Sequence, residues 1–284
     1  MWALIGGSGF ENFEEFEVIE ELDRDTPFGE ASTAFKRVRL EGREILFLSR
    51  HGAHHEKLPS EVNYRANIYA LKKYGAKAIL SVSAIGSLQK EYKPGDMVVP
   101  TQYIDRTKGV RQHSFFGDGL IGHVSLAKPV SLSIIEQVQP LTKNIGFDCH
   151  FGATYVCIEG PYFSTKAESN FYRQIGANII GMTNFPEYAL AREAGISYVP
   201  CCFVTDYDCW DDSIPHVTVE EVITIMRQNN SKAFEWVKRV TALENPWAHC
   251  DASETGFKAG LFMPPEAIPK DKKPWVDVLI NGPQ

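Results

Sequence analysis

Short apolar runs alternate along the chain with stretches in which apolar residues recur at helical spacing. An uninterrupted short apolar run predicts a buried strand, whereas recurrence every three or four residues predicts an amphipathic helix. Strands are predicted at residues 3–5, 43–49, 78–83, 155–158, 178–182 and 196–204. Helices are predicted at residues 62–74, 131–139, 166–175, 188–194 and 219–240. This alternation predicts an α/β fold in which helices flank a largely parallel sheet.

Two stretches lack this pattern. A polar, Gly-rich stretch at residues 107–122 predicts a long surface loop, and loops of that length are usually functional or disordered. From about residue 245, Pro, Lys and Gly become frequent, and Pro264, Pro265, Pro269 and Pro274 would break any long helix. We therefore predict one domain over residues 1–244. The C-terminal extension, residues 245–284, should be extended or partly disordered and pack on or trail from that domain.

Composition and charge narrow the classes of protein to which the chain can belong. Its 284 residues are 44% hydrophobic and 23% charged, as in an ordinary soluble globular protein. The net charge of -7 argues against nucleic-acid binding, which needs a basic face. No apolar run approaches the roughly 18 residues of a membrane span, and the N-terminal segment lacks the basic region of a secretion signal. The 6 cysteines form no C-x-x-C pair, which favours free thiols in a reducing compartment and a cytoplasmic location.

Two carboxylates follow the predicted strand at residues 196–204. Asp206 and Asp208 stand two residues apart, just past the carboxyl end of that strand, where ligands bind in open α/β sheets. A purine with a 6-amino group presents a donor at N6 and an acceptor at N7, and an ionised Asp beside a protonated Asp would match that edge. The alternative is an Asx turn with two solvated carboxylates.

Groups suited to an oxyanion follow other predicted strands. Ser8 lies in the turn Gly-Gly-Ser-Gly after the first strand, where backbone N–H groups and a hydroxyl can cradle a phosphate. This turn lacks the spacing of a dinucleotide fingerprint and the Lys of a P-loop, so a plain tight turn is the alternative. Arg50 and His51 follow the second strand, and Arg suits the bidentate geometry of phosphate, although both residues could be structural.

Two further strand ends carry hydroxyls, and one is followed by an aromatic residue. Ser83 precedes Ala84 at the first of these ends, and Thr183 follows Met182 at the second. Phe163 follows the strand at residues 155–158 and could stack on a base or belong to the core. One parallel sheet would bring these strand ends and the two carboxylates to one edge. The spacing of His51, His54 and His55 invites a metal site, but without an H-E-x-x-H pattern or another ligand cluster we expect none.

In this order, the motifs resemble those of the trimeric purine nucleoside phosphorylase family and, within it, the methylthioadenosine phosphorylase branch. The resemblance covers residues 3–240. Its most specific element is Thr-Asp-Tyr-Asp-Cys-Trp at residues 205–210, because branches acting on 6-oxopurines carry Asn at the first Asp position. The other matching segments are residues 5–9, 25–29, 50–52, 59–64, 86–88, 94–96, 104–107, 158–161, 163–164, 167–169, 181–183 and 186–187.

The resemblance implies a nucleoside phosphorylase-like single domain with a mixed, largely parallel central sheet flanked by helices. It also implies a role for each matching residue. The phosphate site would comprise Ser8, Arg50, His51, Ser83, Ala84 and Thr183. The nucleoside would contact Phe163, Met182, Asp206 and Asp208. The 5′ substituent would be selected by Ser164, Val219, Val222 and Ile223, together with His123 reaching from a neighbouring subunit.

The activity that the resemblance implies is phosphorolysis of 5′-methylthioadenosine, a reaction of purine salvage, with Asp206 as the general acid at N7. Phosphate would be a co-substrate in a homotrimer that needs no metal or organic cofactor. One rival is a phosphorylase of the same fold that prefers adenosine or methylthioinosine. Two further rivals are a nucleosidase that uses water and a nucleotide-binding module without catalysis. We expect small-molecule ligands, with neither nucleic acid nor a membrane as partner.

Overall fold

The computed structural model describes residues 1–10, 15–211, 219–248, 250 and 252–283. The strands in this part of the chain are β1 (Trp2–Gly6), β2 (Glu17–Leu22), β3 (Asp25–Thr26), β4 (Gly29–Glu30), β5 (Phe35–Leu40), β6 (Arg43–Ser49), β7 (Ala78–Ser87), β8 (Met97–Arg106), β9 (Cys149–Ile158), β10 (Ile179–Gly181) and β11 (Ser197–Asp206). The helices are α1 (Tyr64–Lys73), α2 (Leu132–Val138), α3 (Lys166–Gln174), α4 (Asn184–Glu193), α5 (Val219–Thr241), α6 (Ala252–Thr255), α7 (Phe257–Gly260) and α8 (Lys273–Asn281).

The central sheet has the order β10-β9-β8-β11-β7-β1-β6-β5-β2 and contains both parallel and antiparallel neighbours. Strands β6, β1, β7 and β11 run parallel to one another. Strand β8 joins β11 in the antiparallel sense, and β8, β9 and β10 are parallel to each other. Strand β10 also pairs with β7, so β7, β11, β8, β9 and β10 close into a ring. The predicted α/β fold with a mixed sheet and flanking helices is confirmed.

The strands found from the sequence are those that lie in the core. Every residue of β1 is buried, as is every residue of β11 before Asp206, because sheet and helices cover both faces. Strand β2 was missed, because its charged sequence lies almost entirely exposed at the edge of the sheet. Strand β5 was also missed, since charged residues interrupt its apolar positions.

Helix α5 packs beside β11, and polar side chains fasten it to β11 and to the turn before β8. Asn229 Nδ2 donates to the Val204 carbonyl at 3.1 Å, and Lys232 Nζ donates to the Gly95 carbonyl at 2.7 Å. One turn further on, Trp236 is fully buried. These contacts hold the middle of α5 beside the carboxyl end of β11.

The C-terminal extension packs on the domain. Between residues 252 and 283 it forms α6, α7 and α8, and Phe257, Trp275 and Leu279 are buried in the main core. The Trp275 ring meets the Phe28 ring edge-on, with centroids 5.1 Å apart. The expectation of an extended or partly disordered tail is therefore wrong for these residues. Pro274 lies in the first turn of α8, where the missing N–H costs no helical hydrogen bond.

Residues 107–131, which link β8 to α2, form neither helix nor strand. Within the predicted loop at residues 107–122, Arg111, Phe115 and Leu120 are nevertheless buried, so the loop is only partly a surface feature. All 6 cysteines are free thiols. Within the described residues, no helix is long and apolar enough to cross a membrane, and His, Cys, Asp and Glu nowhere cluster in a group of three or more that could hold a metal ion.

Candidate active site

A cavity of about 530 Å³ opens beside β7, β10 and β11, a volume in the range of small-molecule sites. All the residues predicted to bind phosphate or the nucleoside line it, as do Ser164, Val222 and Ile223. The side chain of Val219 lies outside the described residues. His123 lines a separate cavity of about 280 Å³ with His113, Phe116 and Glu193.

The groups predicted at the strand ends come together through a different strand pairing from the one expected. Strand β10 runs antiparallel to β7, with Ile180 opposite Gly86, and this register carries Thr183 back toward Ser83. Ser83 lies inside β7 rather than at its end. The assumption that one parallel sheet edge gathers all these groups is therefore wrong. An antiparallel pairing, which local sequence does not reveal, brings the two hydroxyls into the same cavity.

Arg50 is fully buried and forms a forked ion pair with Glu187, which is 1% exposed. Its Nε donates to Glu187 Oε2 at 2.7 Å and its Nη2 to Glu187 Oε1 at 2.9 Å. Nη2 also donates to Ser81 Oγ at 2.7 Å, and Nη1 donates to the Val82 carbonyl at 3.1 Å. Burial by itself would lower the pKa of Arg50, but the charge and hydrogen bonds of Glu187 raise it above its ordinary value.

The guanidinium of Arg50 has little capacity left for a ligand. Of its five N–H bonds, these four contacts leave one, on Nη1. Nη1 faces the glycine turn, where a Cβ on Gly7 would lie 2.5 Å from it. The bidentate hydrogen bonding that the sequence suggested for phosphate is therefore made to Glu187 instead. Arg50 can offer an oxyanion a single N–H and a fixed charge.

The His51 side chain is 3% exposed and well ordered by its neighbours. Its Nδ1 lies 2.8 Å from the Lys57 carbonyl, which accepts a hydrogen bond when Nδ1 carries the proton. That arrangement leaves Nε2 as the acceptor of the neutral ring or as a donor of the charged ring. The His55 ring stacks on it, with centroids 4.5 Å apart. His51 and His55 both line the cavity, as does Ser8.

Asp206 lies at a bulge, because the pairing register of β11 shifts between Val204 and Asp206. Its carboxyl accepts hydrogen bonds from the Thr205 hydroxyl at 2.6 Å and from the Asp208 backbone N–H at 2.9 Å. Burial raises the pKa of Asp206, although both hydrogen bonds act in the opposite direction. The hydrogen bond to the Asp208 N–H is that of an Asx turn, but the carboxyl is not freely solvated as that alternative supposed.

Asp208 adopts a left-handed conformation, with φ 51°, and the loop is fastened behind it where Trp210 Nε1 donates to the Ser87 carbonyl at 2.9 Å. Burial raises the pKa of Asp208 to about 6, and the Asp206 carboxylate adds to the shift. The Oδ2 atom of Asp208 is buried and has no hydrogen-bond partner among the described residues. The pair therefore combines a carboxyl that holds its proton more tightly than usual with an acceptor that has no partner.

Gly86 forms the floor beside the two carboxyls. A Cβ at this position would lie 3.0 Å from Ile180 Cγ2, 3.3 Å from Asp206 Oδ2 and 3.6 Å from Asp208 Cβ. The absence of a side chain keeps space open in front of both acids. A flat ring can therefore approach the carboxyls edge-on.

The remaining walls are largely apolar. From α5, Val222, Ile223 and Met226 line the cavity, and Met226 lies 3.5 Å from the position of a Cβ on Gly9. Phe163 is 64% exposed, so it lies at the mouth rather than in the core, the alternative that its residue type favoured. The Ser164 carbonyl accepts a hydrogen bond from Cys209 Sγ at 3.2 Å. The site thus combines polar groups around Arg50 with an apolar part formed by α5.

Several residues of the site were missed from the sequence. Glu187, His55, Gly86 and Met226 belong to it, although Glu187 and Gly86 stand inside motifs that carried the family resemblance. Arg111 also reaches its edge, where Nη1 donates to the Met182 carbonyl at 2.7 Å. Local sequence gave no signal for Arg111, since its partners lie up to 74 residues away.

The model of the phosphorylase superfamily matches residues 2–242. The S-methyl-5′-thioadenosine phosphorylase of Geobacter sulfurreducens is 41% identical over 280 residues, covering 99% of this chain and 98% of that protein. A crystal structure of methylthioadenosine phosphorylase from an antarctic soil metagenomic library has a TM-score of 0.91, 43% identity and 98% coverage of both chains. A double mutant of the Schistosoma mansoni adenosine/methylthioadenosine phosphorylase, in complex with adenine, has a TM-score of 0.79 and 34% identity, covering 85% of this chain and 90% of that one.

The similarity to these relatives extends further along the chain than the sequence motifs indicated. The resemblance was placed at residues 3–240, but the relative from Geobacter sulfurreducens aligns through the C-terminal extension as well. The fold, the cavity and the similarity over nearly the whole length agree with one another. The chain belongs to the phosphorylase superfamily and, within it, to the methylthioadenosine phosphorylases.

Proposed function

We propose that this protein catalyses the phosphorolysis of 5′-methylthioadenosine to adenine and 5-methylthioribose 1-phosphate. The observation that carries the proposal is the set of groups that line one cavity. Oxyanion donors, the Asp206–Asp208 pair and apolar side chains of α5 all line it. These groups match, in turn, a phosphate, the N6–N7 edge of adenine and a methylthio group.

The two carboxyls would divide the recognition of the base. Asp206, whose pKa burial raises, would donate its proton to N7 as the leaving adenine gains negative charge. Asp208, whose buried Oδ2 has no hydrogen-bond partner in the described part of the chain, would accept from the 6-amino group. A 6-oxopurine would present an acceptor where Asp208 also accepts, and such a mismatch can cost about 10⁴ in specificity.

The phosphate would attack a sugar with the character of an oxocarbenium ion. Ser8, Ser83 and Thr183 supply hydroxyl groups, Arg50 supplies one N–H, and His51 supplies its Nε2 side. Holding the nucleophile beside the reacting carbon removes much of the entropic cost of bringing two substrates together. The negative charge of the phosphate would also stabilise the developing positive charge of the sugar. No step needs a metal or an organic cofactor, and phosphate is a co-substrate.

The apolar end of the cavity favours a methylthio group over a 5′-hydroxyl. Val222 and Met226 offer no hydrogen-bond partner to a 5′-hydroxyl, and burying an unpaired hydroxyl is unfavourable. Adenosine is the second candidate substrate, since the Schistosoma mansoni relative is named for both nucleosides. Ile223 is 42% exposed in the single chain, so this end is open to solvent.

We further propose a homotrimer in a reducing, cytoplasmic compartment. Val110, Ile121 and Phe262 are 66%, 59% and 81% exposed in the single chain, and such apolar exposure suits contact with a second copy. Ile121 and Phe262 are neighbours, because the Phe262 N–H donates to the Ile121 carbonyl at 2.8 Å. His123 lies beside this surface, which fits a contribution to a neighbouring subunit's 5′ pocket. The free thiols support the proposed reducing compartment.

The test is to incubate the protein with 5′-methylthioadenosine, with and without phosphate, and to measure free adenine. Release that requires phosphate supports the proposal. Release without phosphate identifies a nucleosidase, and adenosine binding without release identifies a non-catalytic module. Parallel assays with adenosine and methylthioinosine rank the alternative substrates, and a higher kcat/KM for either one would overturn the assignment of the 5′ group or of the base.

A further inference from the structure

The linker between β8 and α2 contains a buried arginine that has no role in the proposed reaction. Arg111 is 4% exposed, and its guanidinium lies between the chain segments that follow β9 and β10. Both segments line the cavity, the first through Pro161 and Phe163 and the second through Met182 and Thr183. A single side chain thus contacts two walls of the site that are distant in sequence.

Every donor of this guanidinium is used by the protein. Nε donates to Glu159 Oε1 at 2.6 Å, and Nη1 donates to the carbonyls of Met182 at 2.7 Å and Phe185 at 2.6 Å. Nη2 donates to the carbonyls of Ile158 at 3.3 Å and Glu159 at 2.9 Å. A guanidinium has five N–H donors, so none is left for phosphate or nucleoside. Arg111 can therefore influence the reaction only through the backbone segments that it holds.

The two walls touch directly beside this arginine. Gly160 has φ 74°, a conformation that favours glycine, and a Cβ on it would lie 2.5 Å from Met182 Sδ, so a side chain here would displace the Met182 side chain. Glu159 also fastens the start of the linker, because its Oε2 accepts the Lys108 backbone N–H at 2.7 Å. The Arg111–Glu159 pair thereby joins the linker and both walls in one buried hydrogen-bonded unit.

We propose that Arg111 is a positioning residue that keeps these two walls in register, the one with Phe163 and the one with Met182 and Thr183. This inference rests on the proposed phosphorolysis, in which Phe163 and Met182 contact the nucleoside and Thr183 contacts phosphate. If the two walls shift, each substrate still finds its groups, but the sugar and the nucleophile no longer face each other correctly. A displacement of about 1 Å can lower the rate about 100-fold.

The variants Arg111→Lys and Arg111→Ala test this role. Lysine keeps the positive charge, but its three donors radiate from one atom and cannot span carbonyls on two walls. The matched control is Arg239→Lys. Arg239 likewise donates to main-chain carbonyls, those of Leu141 and Lys143, and pairs with Glu235, but it lies outside the residues that line the cavity.

We expect Arg111→Lys to lower kcat/KM for phosphorolysis about 100-fold, mostly through kcat, while Arg239→Lys leaves it near the wild-type value. Arg111→Ala should lose at least as much and regain activity when guanidinium chloride is added at low, non-denaturing concentration, against sodium chloride at equal ionic strength. Should Arg111→Ala fail to fold, Arg111→Lys carries the test, with thermal unfolding measured alongside.

Two outcomes would overturn the proposal: kcat/KM of Arg111→Lys close to wild type, or a loss no larger than that of Arg239→Lys at equal loss of stability. The proposed function is judged separately by the wild-type protein and its dependence on phosphate. Titration with adenine, followed by calorimetry, measures ground-state binding of the base separately from turnover. Adenine affinity near the wild-type value in Arg111→Lys, together with its lowered kcat, supports the positioning role, and an affinity loss as large as the loss in kcat/KM contradicts it.

Discussion

Replacing Glu187 by Gln tests whether the Arg50–Glu187 pair organises the phosphate end of the cavity. The carboxylate accepts four hydrogen bonds, two from Arg50, one from Ser81 Oγ at 2.5 Å and one from the Tyr198 hydroxyl at 2.8 Å. Gln retains one acceptor oxygen but turns an NH₂ group toward an N–H of Arg50. The substitution also leaves a fully buried guanidinium without its counter-charge.

Breaking a buried pair in this way typically costs about 3–5 kcal/mol, a large part of the stability of an ordinary domain. We expect the free energy of unfolding of Glu187→Gln, from urea denaturation at pH 7, to fall by about this amount. Added phosphate should stabilise the variant more than it stabilises the wild type, because a bound dianion supplies the missing negative charge beside Arg50.

Glu193→Gln is the matched control. Glu193 is buried, and its carboxyl accepts from Ser114 Oγ at 2.7 Å and from the Phe115 N–H at 2.6 Å, both neutral donors. Its substitution should cost less than that of Glu187 and should not change the response to phosphate. Equal losses in the two variants, or a Glu187→Gln protein as stable as wild type, would refute the role given to the pair.

Three further predictions concern the base site. Gly86→Ala should raise KM for the nucleoside far more than KM for phosphate, because its Cβ would lie 3.3 Å from Asp206 Oδ2. Asp206→Asn should retain its fold but lose most phosphorolysis, since an amide cannot give up a proton to N7. Because burial raises the pKa of Asp208 from 3.8 to about 6, its ionisation destabilises the folded protein as pH rises through that window. Asp208→Asn should therefore gain stability relative to wild type between pH 4 and 6, by up to about 3 kcal/mol, in urea titrations at each pH.

Each of these has a result that would contradict it. Equal changes in both KM values for Gly86→Ala would place the base elsewhere, and turnover near wild type in Asp206→Asn would remove its role as acid. A difference in stability between Asp208→Asn and wild type that does not change with pH would show that Asp208 ionises as freely in the folded protein as in the unfolded chain.

The core strands could be predicted from the sequence because a buried strand is a continuous run of apolar residues. Strand β11 is apolar along its length since it is covered on both faces, and the carboxylates that follow it are visible in the printed sequence. No sequence pattern indicates that β10 runs antiparallel to β7. Thr183 and Ser83 were therefore expected at the shared edge of a parallel sheet, whereas the antiparallel pairing brings them into the same cavity.

Contacts between residues that are distant in sequence could not be predicted from the sequence. Glu187 lies 137 residues from Arg50, so the sequence suggested a free arginine where the structure has a neutralised one. The prolines of the C-terminal extension were read as helix breakers, but Pro274 only begins α8, and the packing of Trp275 against Phe28 fixes that helix. Partners such as these are set by the fold, which brings together groups that no local pattern relates.

The most direct test of the account is the fate of the phosphate. The wild-type protein would be incubated with 5′-methylthioadenosine and inorganic phosphate, with adenine followed by absorbance and phosphorus species by ³¹P NMR. We expect one sugar 1-phosphate ester to form for each adenine released. Adenine without an equivalent of ester would show that water, not phosphate, attacks the sugar, and would contradict the assignment of Arg50, His51 and the hydroxyl groups to a phosphate site.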